Sequence, residues 1–193
     1  MTMAFMMLEN VKKNLLLILI FLSGPLSASP DDNVPYIVYA KEIMNTFISK
    51  SEKEYTLECI GTGGKFSKNV AGITIKFVAY RKGTLEEARL LEVTMIEALL
   101  SRINTDEKIR PFLNAYPFNI NDIKISIAFH KKDNSCYSDG SVVYVSHIKN
   151  KLFYYSEKPK TEDLILIMEE PYEQAYKIIF PSLNQSHNDC LPH

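Results

Sequence analysis

Apolar positions recur along this chain at two periods, and the way those periods alternate lays out a fold. From Thr84 to Ile103, Leu85, Ala88, Leu91, Met95, Leu99 and Ile103 are three or four residues apart, which puts them on one face of an α-helix. Glu86, Glu87, Arg89, Glu92, Glu97 and Arg102 are expected mostly on the other side. Thr84 and Glu87 form a capping box, Gly83 lets the chain turn in, and the acidic first turn suits the positive end of the helix dipole. Upstream, Ile37, Ala40, Ile43 or Met44, and Phe47 predict a first helix over Tyr36–Lys50. Period two takes over in Gly72–Tyr80, where Ile73, Ile75, Phe77 and Ala79 share a face. It is strictest in Asp122–His130, where Ile123, Ile125, Ile127 and Phe129 alternate with Lys124, Ser126, Ala128 and His130. Such alternation implies one buried and one wet face, as in an antiparallel sheet.

The remaining elements follow from breakers and shorter patterns. Tyr55–Ile60 reads as a short strand ended by Gly61-Thr62-Gly63-Gly64, and Thr105–Asn114 as a short helix bent or ended by Pro111. Tyr116–Asn121 is a loop with large apolar groups, expected to pack as a cover. Strands at Ser141–His147 and Leu152–Ser156 flank a tight turn at Lys149-Asn150. Leu164–Met168 reads as a buried strand, and Pro171–Phe180 as a last helix with Pro in its first turn. The order α-β-β-α-α-β-β-β-β-α holds more strands than βαβ crossovers can connect. It predicts an α+β fold, a mainly antiparallel sheet of five to six strands with helices packed on one face.

The first residues are set apart from this pattern. Lys12 and Lys13 precede the apolar run Leu15–Leu22, and small residues with Gly24 and Pro25 follow, which together describe a secretory signal peptide over residues 1–28, cleaved after Ala28. Eight apolar residues fall short of the roughly 20 needed to span a bilayer, so no membrane span is expected after cleavage. The reading then assigns 29–35 to a linker, 36–180 to a single domain and 181–193 to a disordered tail. The full chain has 22 basic and 23 acidic side chains; loss of two lysines and Glu9 leaves 20 against 22. That balance gives no electrostatic case for nucleic acid as a partner.

Four features bear on chemistry. Gly61–Ser67, GTGGKFS, approaches a phosphate loop, but Phe66 stands where Ser or Thr must follow the lysine and no helix starts there, so the glycines are expected in a hairpin or loop. The three cysteines, Cys59, Cys136 and Cys190, allow one disulfide in an exported protein without saying which. No CxxC spacing is present, and no metal or cofactor is expected. Cys136 lies between His130 and His147, the raw material of a cysteine nucleophile, so a small cysteine-dependent hydrolase or transferase using Cys136 with His130 or His147 is one reading. Aromatic residues are dense in Tyr137, Tyr144, Phe153, Tyr154 and Tyr155; exposed on a sheet they favour recognition of a protein or glycan, and Tyr137, Tyr144 and Tyr154 are the candidate binding residues.

The strings YRKGTLEEARLLEV, EKIRPFLNAYPF, ISIAFHKK, YSDGSVVYV and EEPYEQA resemble a family of small uncharacterised exported proteins of bacteria that live inside host cells. The similarity covers about Tyr36–Phe180. It implies a bacterial source and a secreted or envelope location, and it carries no catalytic residue over. The expectation is therefore an exported, periplasmic or secreted module that binds a protein or envelope partner through the wet face of its sheet or its loops, with no cofactor.

Overall fold

The computed structural model describes residues 34–159, 161 and 163–181, which lie in one compact unit, Asp32–His193. The signal peptide, its cleavage position at Ala28, nearly all of the linker and tail, and Cys190 lie outside the described residues. The elements are α1 (Pro35–Tyr55), β1 (Glu58–Lys65), β2 (Gly72–Ala79), α2 (Leu85–Thr105), two single 3₁₀ turns (Arg110–Phe112 and Ile120–Asp122), β3 (Ile123–Phe129), β4 (Tyr144–Ile148), β5 (Lys151–Glu157), β6 (Leu164–Pro171) and α3 (Tyr172–Ile179). This is an α+β fold, with three helices and a six-stranded sheet ordered β1-β2-β3-β4-β5-β6 among the described residues.

The sheet is mostly antiparallel, with one internal exception. β2 and β3 run parallel, Ile73 beside Ile123 through to Ala79 beside Phe129, because the chain returns through the 21-residue helix α2. A two-residue turn cannot make that connection. Half of the expected capping box forms at the start of α2: the Glu87 main-chain N–H donates to Thr84 Oγ1, while the Glu87 carboxylate accepts from Arg81 Nε instead. Ile73, Ile75, Phe77, Ile123, Ile125, Ile127, Val145, Leu152 and Tyr154 join the buried faces of all three helices in one core. Among described residues no helix is long and apolar enough to cross a membrane.

Several expectations are corrected. β1 runs through Gly61, Gly63 and Gly64 to Lys65 instead of ending before them, with a bulge between Cys59 and Gly61. A side chain at Gly64 would collide with the Phe66 ring and the Gly72 carbonyl, so the glycine serves strand packing. The short helix expected over Thr105–Asn114 contracts to one 3₁₀ turn. Asp106 Oδ1 accepts from the N–H groups of Lys108 and Ile109, and Pro111 has no N–H to extend the turn. Helix α2 buries two residues assigned to its polar side, Arg89 and Glu92, because the core wraps further round the helix than a single stripe. Leu164–Ile167, expected to be buried, are exposed by 50%, 41%, 49% and 45%. Among the described residues β6 is an edge strand with a neighbour on one side only, and α3 starts at Tyr172, beyond its far end.

Candidate functional site

Edge strand β6 is built from two unlike halves. Its first half is LILI, facing solvent; its second half, Met168–Pro171, is anchored in the molecule. Glu170 is the anchor. Its Oε1 accepts from Arg89 Nε at 2.7 Å and from the Tyr154 hydroxyl at 2.5 Å, all three groups being buried. A charged pair taken out of water holds only when further hydrogen bonds satisfy it, and Tyr154 supplies one. At the surface Lys151 Nζ adds a 2.7 Å ion pair to Glu169. The main chain then leaves the strand as Tyr172 N–H donates to Asn150 O at 2.8 Å, tying the start of α3 to the β4–β5 turn. That turn has two consecutive left-handed residues, Lys149 (φ 49°) and Asn150 (φ 62°), the backbone that matches strand twist in a two-residue hairpin.

A bulge between Tyr154 and Tyr155 places Met168 beside Tyr154 and Leu166 beside Tyr155, with Ile167 the extra residue. Leu166 and Leu164 therefore continue the row of Tyr155, on the sheet face away from the helices. Tyr155 pairs with Tyr144 across the ladder, rings 5.8 Å apart, and both are half-buried, as is Phe153. The result is a continuous apolar and aromatic corner formed by Leu164, Leu166, Tyr155, Tyr144 and Phe153, bordered by the open edge of β6. Tyr154, by contrast, is 0% exposed on the helix side and unavailable to a partner, while its neighbours Phe153 and Tyr155 are half-buried. Burial and the Glu170 carboxylate push its phenol far above the ordinary tyrosine range.

The other sequence candidates are spread over the molecule. Cys136 lies in the wall of a separate hollow of about 570 Å³ with Lys131, Asn134, Ser138, Glu157 and Thr161, and no histidine lines it among the described residues. Ser138 donates to the Glu157 carboxylate there. Tyr137, half-buried, has the Lys131 ammonium over its ring at 5.4 Å. The surrounding loop is held by Asp133 and Asp139. Asp133 accepts from Ser135, Asp139 from Ser141, and the Lys82 ammonium at 2.7 Å holds the Asp139 carboxyl far below the usual carboxylate range.

His130 and His147 do not converge. Continuing the β3–β4 register, in which Ser126 faces Ser146, puts His147 opposite Ile125, while His130 lies past the other end of β3, a separation of about 17 Å along the strand. His147 instead faces the helices, 2% exposed, its ring edge-on to Tyr172 at 5.6 Å. Burial depresses its imidazole below the ordinary value. The hollow beside Cys136 is lined by neither His130 nor His147.

Sequence reasoning missed the Leu164–Ile167 edge because hydropathy alone reads it as core. The available signal was its setting as the last strand-like run before the final helix. Comparison of the chain with protein-family models, with curated proteins and with solved structures finds no match.

Proposed function

We propose that this chain is a non-catalytic binding module, exported to the periplasm or beyond, that takes an extended segment of a protein partner as an added strand along β6. The observation that carries the reading is four consecutive aliphatic side chains, each two-fifths to one-half exposed, on a strand whose outer backbone edge has no neighbour among the described residues. Folded proteins usually blunt such an edge with charge, proline or a covering loop, because it templates pairing with another chain. Here lysine is absent from the exposed stretch and the one proline comes at its end. Strand addition would pair the main-chain groups, and the aromatic corner beside it would receive alternate side chains of the partner. Covering four half-exposed Leu and Ile side chains yields about 3–6 kcal/mol before the cost of association. Export rests on the charged, apolar and small-residue order of residues 12–28.

The test is capture of a partner from the extracellular and envelope fractions by the wild-type chain, followed by amide hydrogen exchange on the complex. Protection confined to Leu164–Ile167, with capture lost in a Leu164→Lys/Leu166→Lys variant and kept in Cys136→Ala, is the expected result. Capture that survives the lysine variant, or protection elsewhere on the molecule, would overturn it.

A further inference from the structure

Away from β6, where β1 and β4 end and β2 and β3 begin, a pocket of about 290 Å³ is bordered by three lysines from three separate elements. Lys65 closes β1, Lys124 is the second residue of β3, and Lys149 is held by the left-handed β4–β5 turn. Among the described residues none of these ammonium groups forms an ion pair, although six other basic side chains of the molecule do. The one carboxylate in the lining, Asp122, is committed to its own 3₁₀ turn, its Oδ2 accepting from the Asn119 main-chain N–H at 3.0 Å. His147 also borders the pocket, with its ring turned to the helix side of the sheet against Tyr172.

The full chain carries a net charge of −1, so three lysines against one carboxylate around a single hollow do not reflect a general surplus of positive charge. Like charges gathered at a concave site repel one another and focus a positive potential into it, and an anion relieves both. The volume is at the lower end of small-ligand sites and too small for a folded partner. Lysine, a compact point charge with three donors, suits a phosphate dianion from several directions, and Asn121 is also in the lining.

We propose that this pocket binds the phosphate group of a small soluble ligand, with Lys65, Lys124 and Lys149 as its cationic clamp. The site is independent of the β6 edge, and the two readings stand or fall separately. The experiment is a titration of the whole chain with inorganic phosphate and with glycerol phosphate against chloride at constant ionic strength, followed by ¹H–¹⁵N NMR. Expected are saturable shifts at Lys65, Gly72, Lys124 and Lys149. Tighter binding of the ester than of the free ion would mean that the ligand carries a group beyond its phosphate. Lys65 and Lys124 are both exposed, so the double variant Lys65→Ala/Lys124→Ala keeps the fold and weakens binding by ~ten-fold or more. Lys108→Ala, exposed and outside the pocket, leaves binding unchanged. Shifts that do not saturate, equal weakening by Lys108→Ala, or a double variant that binds like the wild type would overturn the assignment.

Discussion

Replacing Glu92 by methionine should make this protein more stable, and by an amount that grows with pH. Glu92 projects from α2 into the core with 0% exposure, and neither carboxyl oxygen has a hydrogen-bond partner. Burial pushes its pKa well above the ordinary value of 4.5; the main chain of His147 favours the anion slightly but does not reach hydrogen-bond geometry. The native state therefore keeps a proton that the unfolded chain releases once the pH passes 4.5. Because the folded state binds more protons in that window, stability falls as pH rises, by at most ~1.4 kcal/mol per pH unit, until the folded pKa is reached. Near pH 5 the penalty is mostly that of a neutral acid left without partners, about 1–3 kcal/mol. Methionine keeps an unbranched chain of similar length and removes both orphaned oxygens, so the variant should gain that amount at pH 5 and more at pH 7. His147 titrates in the opposite sense. Its depressed imidazole leaves stability complete above 6.5 and lowers it as pH falls below that value, but this contribution is common to both proteins and cancels in their difference. The assay is urea unfolding followed by far-UV circular dichroism at pH 5, 6 and 7. Lower stability of Glu92→Met at all three values, or a difference that does not change with pH, would refute the reasoning.

Other consequences can be measured in the same way. Arg89→Ala strands the Glu170 carboxylate under α2 with only Tyr154 left to donate, and should cost about 3–5 kcal/mol in urea unfolding, whereas Lys177→Ala, which breaks an exposed pair to Glu173, should cost less than ~1 kcal/mol. Loosening that anchor should also deprotect the amides of β6 in hydrogen exchange before those of β2 and β3. Gly83→Ala brings a methyl to 2.6 Å from both the buried Phe129 ring and the Val142 carbonyl, so ~1–3 kcal/mol of overpacking should appear as a lower unfolding midpoint.

What was legible in the sequence is what local periodicity dictates. The long helix, its Thr84–Glu87 cap, the alternating strands at β2 and β3 and the β4–β5 hairpin are all present within a few residues of expectation. Periodicity carries no information on strand direction, since Ile123–Phe129 alternates equally well in a parallel or an antiparallel pair. The signal for the parallel pair was topological: a 21-residue helix separates the two strands that end up adjacent. Glu92 was misassigned for a related reason. It falls four residues after Ala88 and three before Met95, inside the apolar stripe, yet its charge argued for the other side; the spacing was the better guide. The lysine pocket had no local signature at all, because Lys65, Lys124 and Lys149 come together only through sheet register.

The misreading of LILI has a deeper cause, and it bears on function. Hydropathy measures what water rejects, not what the fold covers, and the two differ wherever covering is left to another molecule. In a strand with neighbours on both sides, Leu164–Ile167 would be core. At the end of the sheet order, past the reach of α3, the same four residues are surface, while Arg89, Tyr154 and Glu170 hold the rest of the strand in place. A floppy apolar segment would invite indiscriminate association; one anchored at one end presents a fixed register and a fixed face. On the proposed reading, the buried charges beneath β6 and the exposed aliphatics along it are two parts of one arrangement, in which ion pairing inside the protein sets the geometry of the edge offered to a partner.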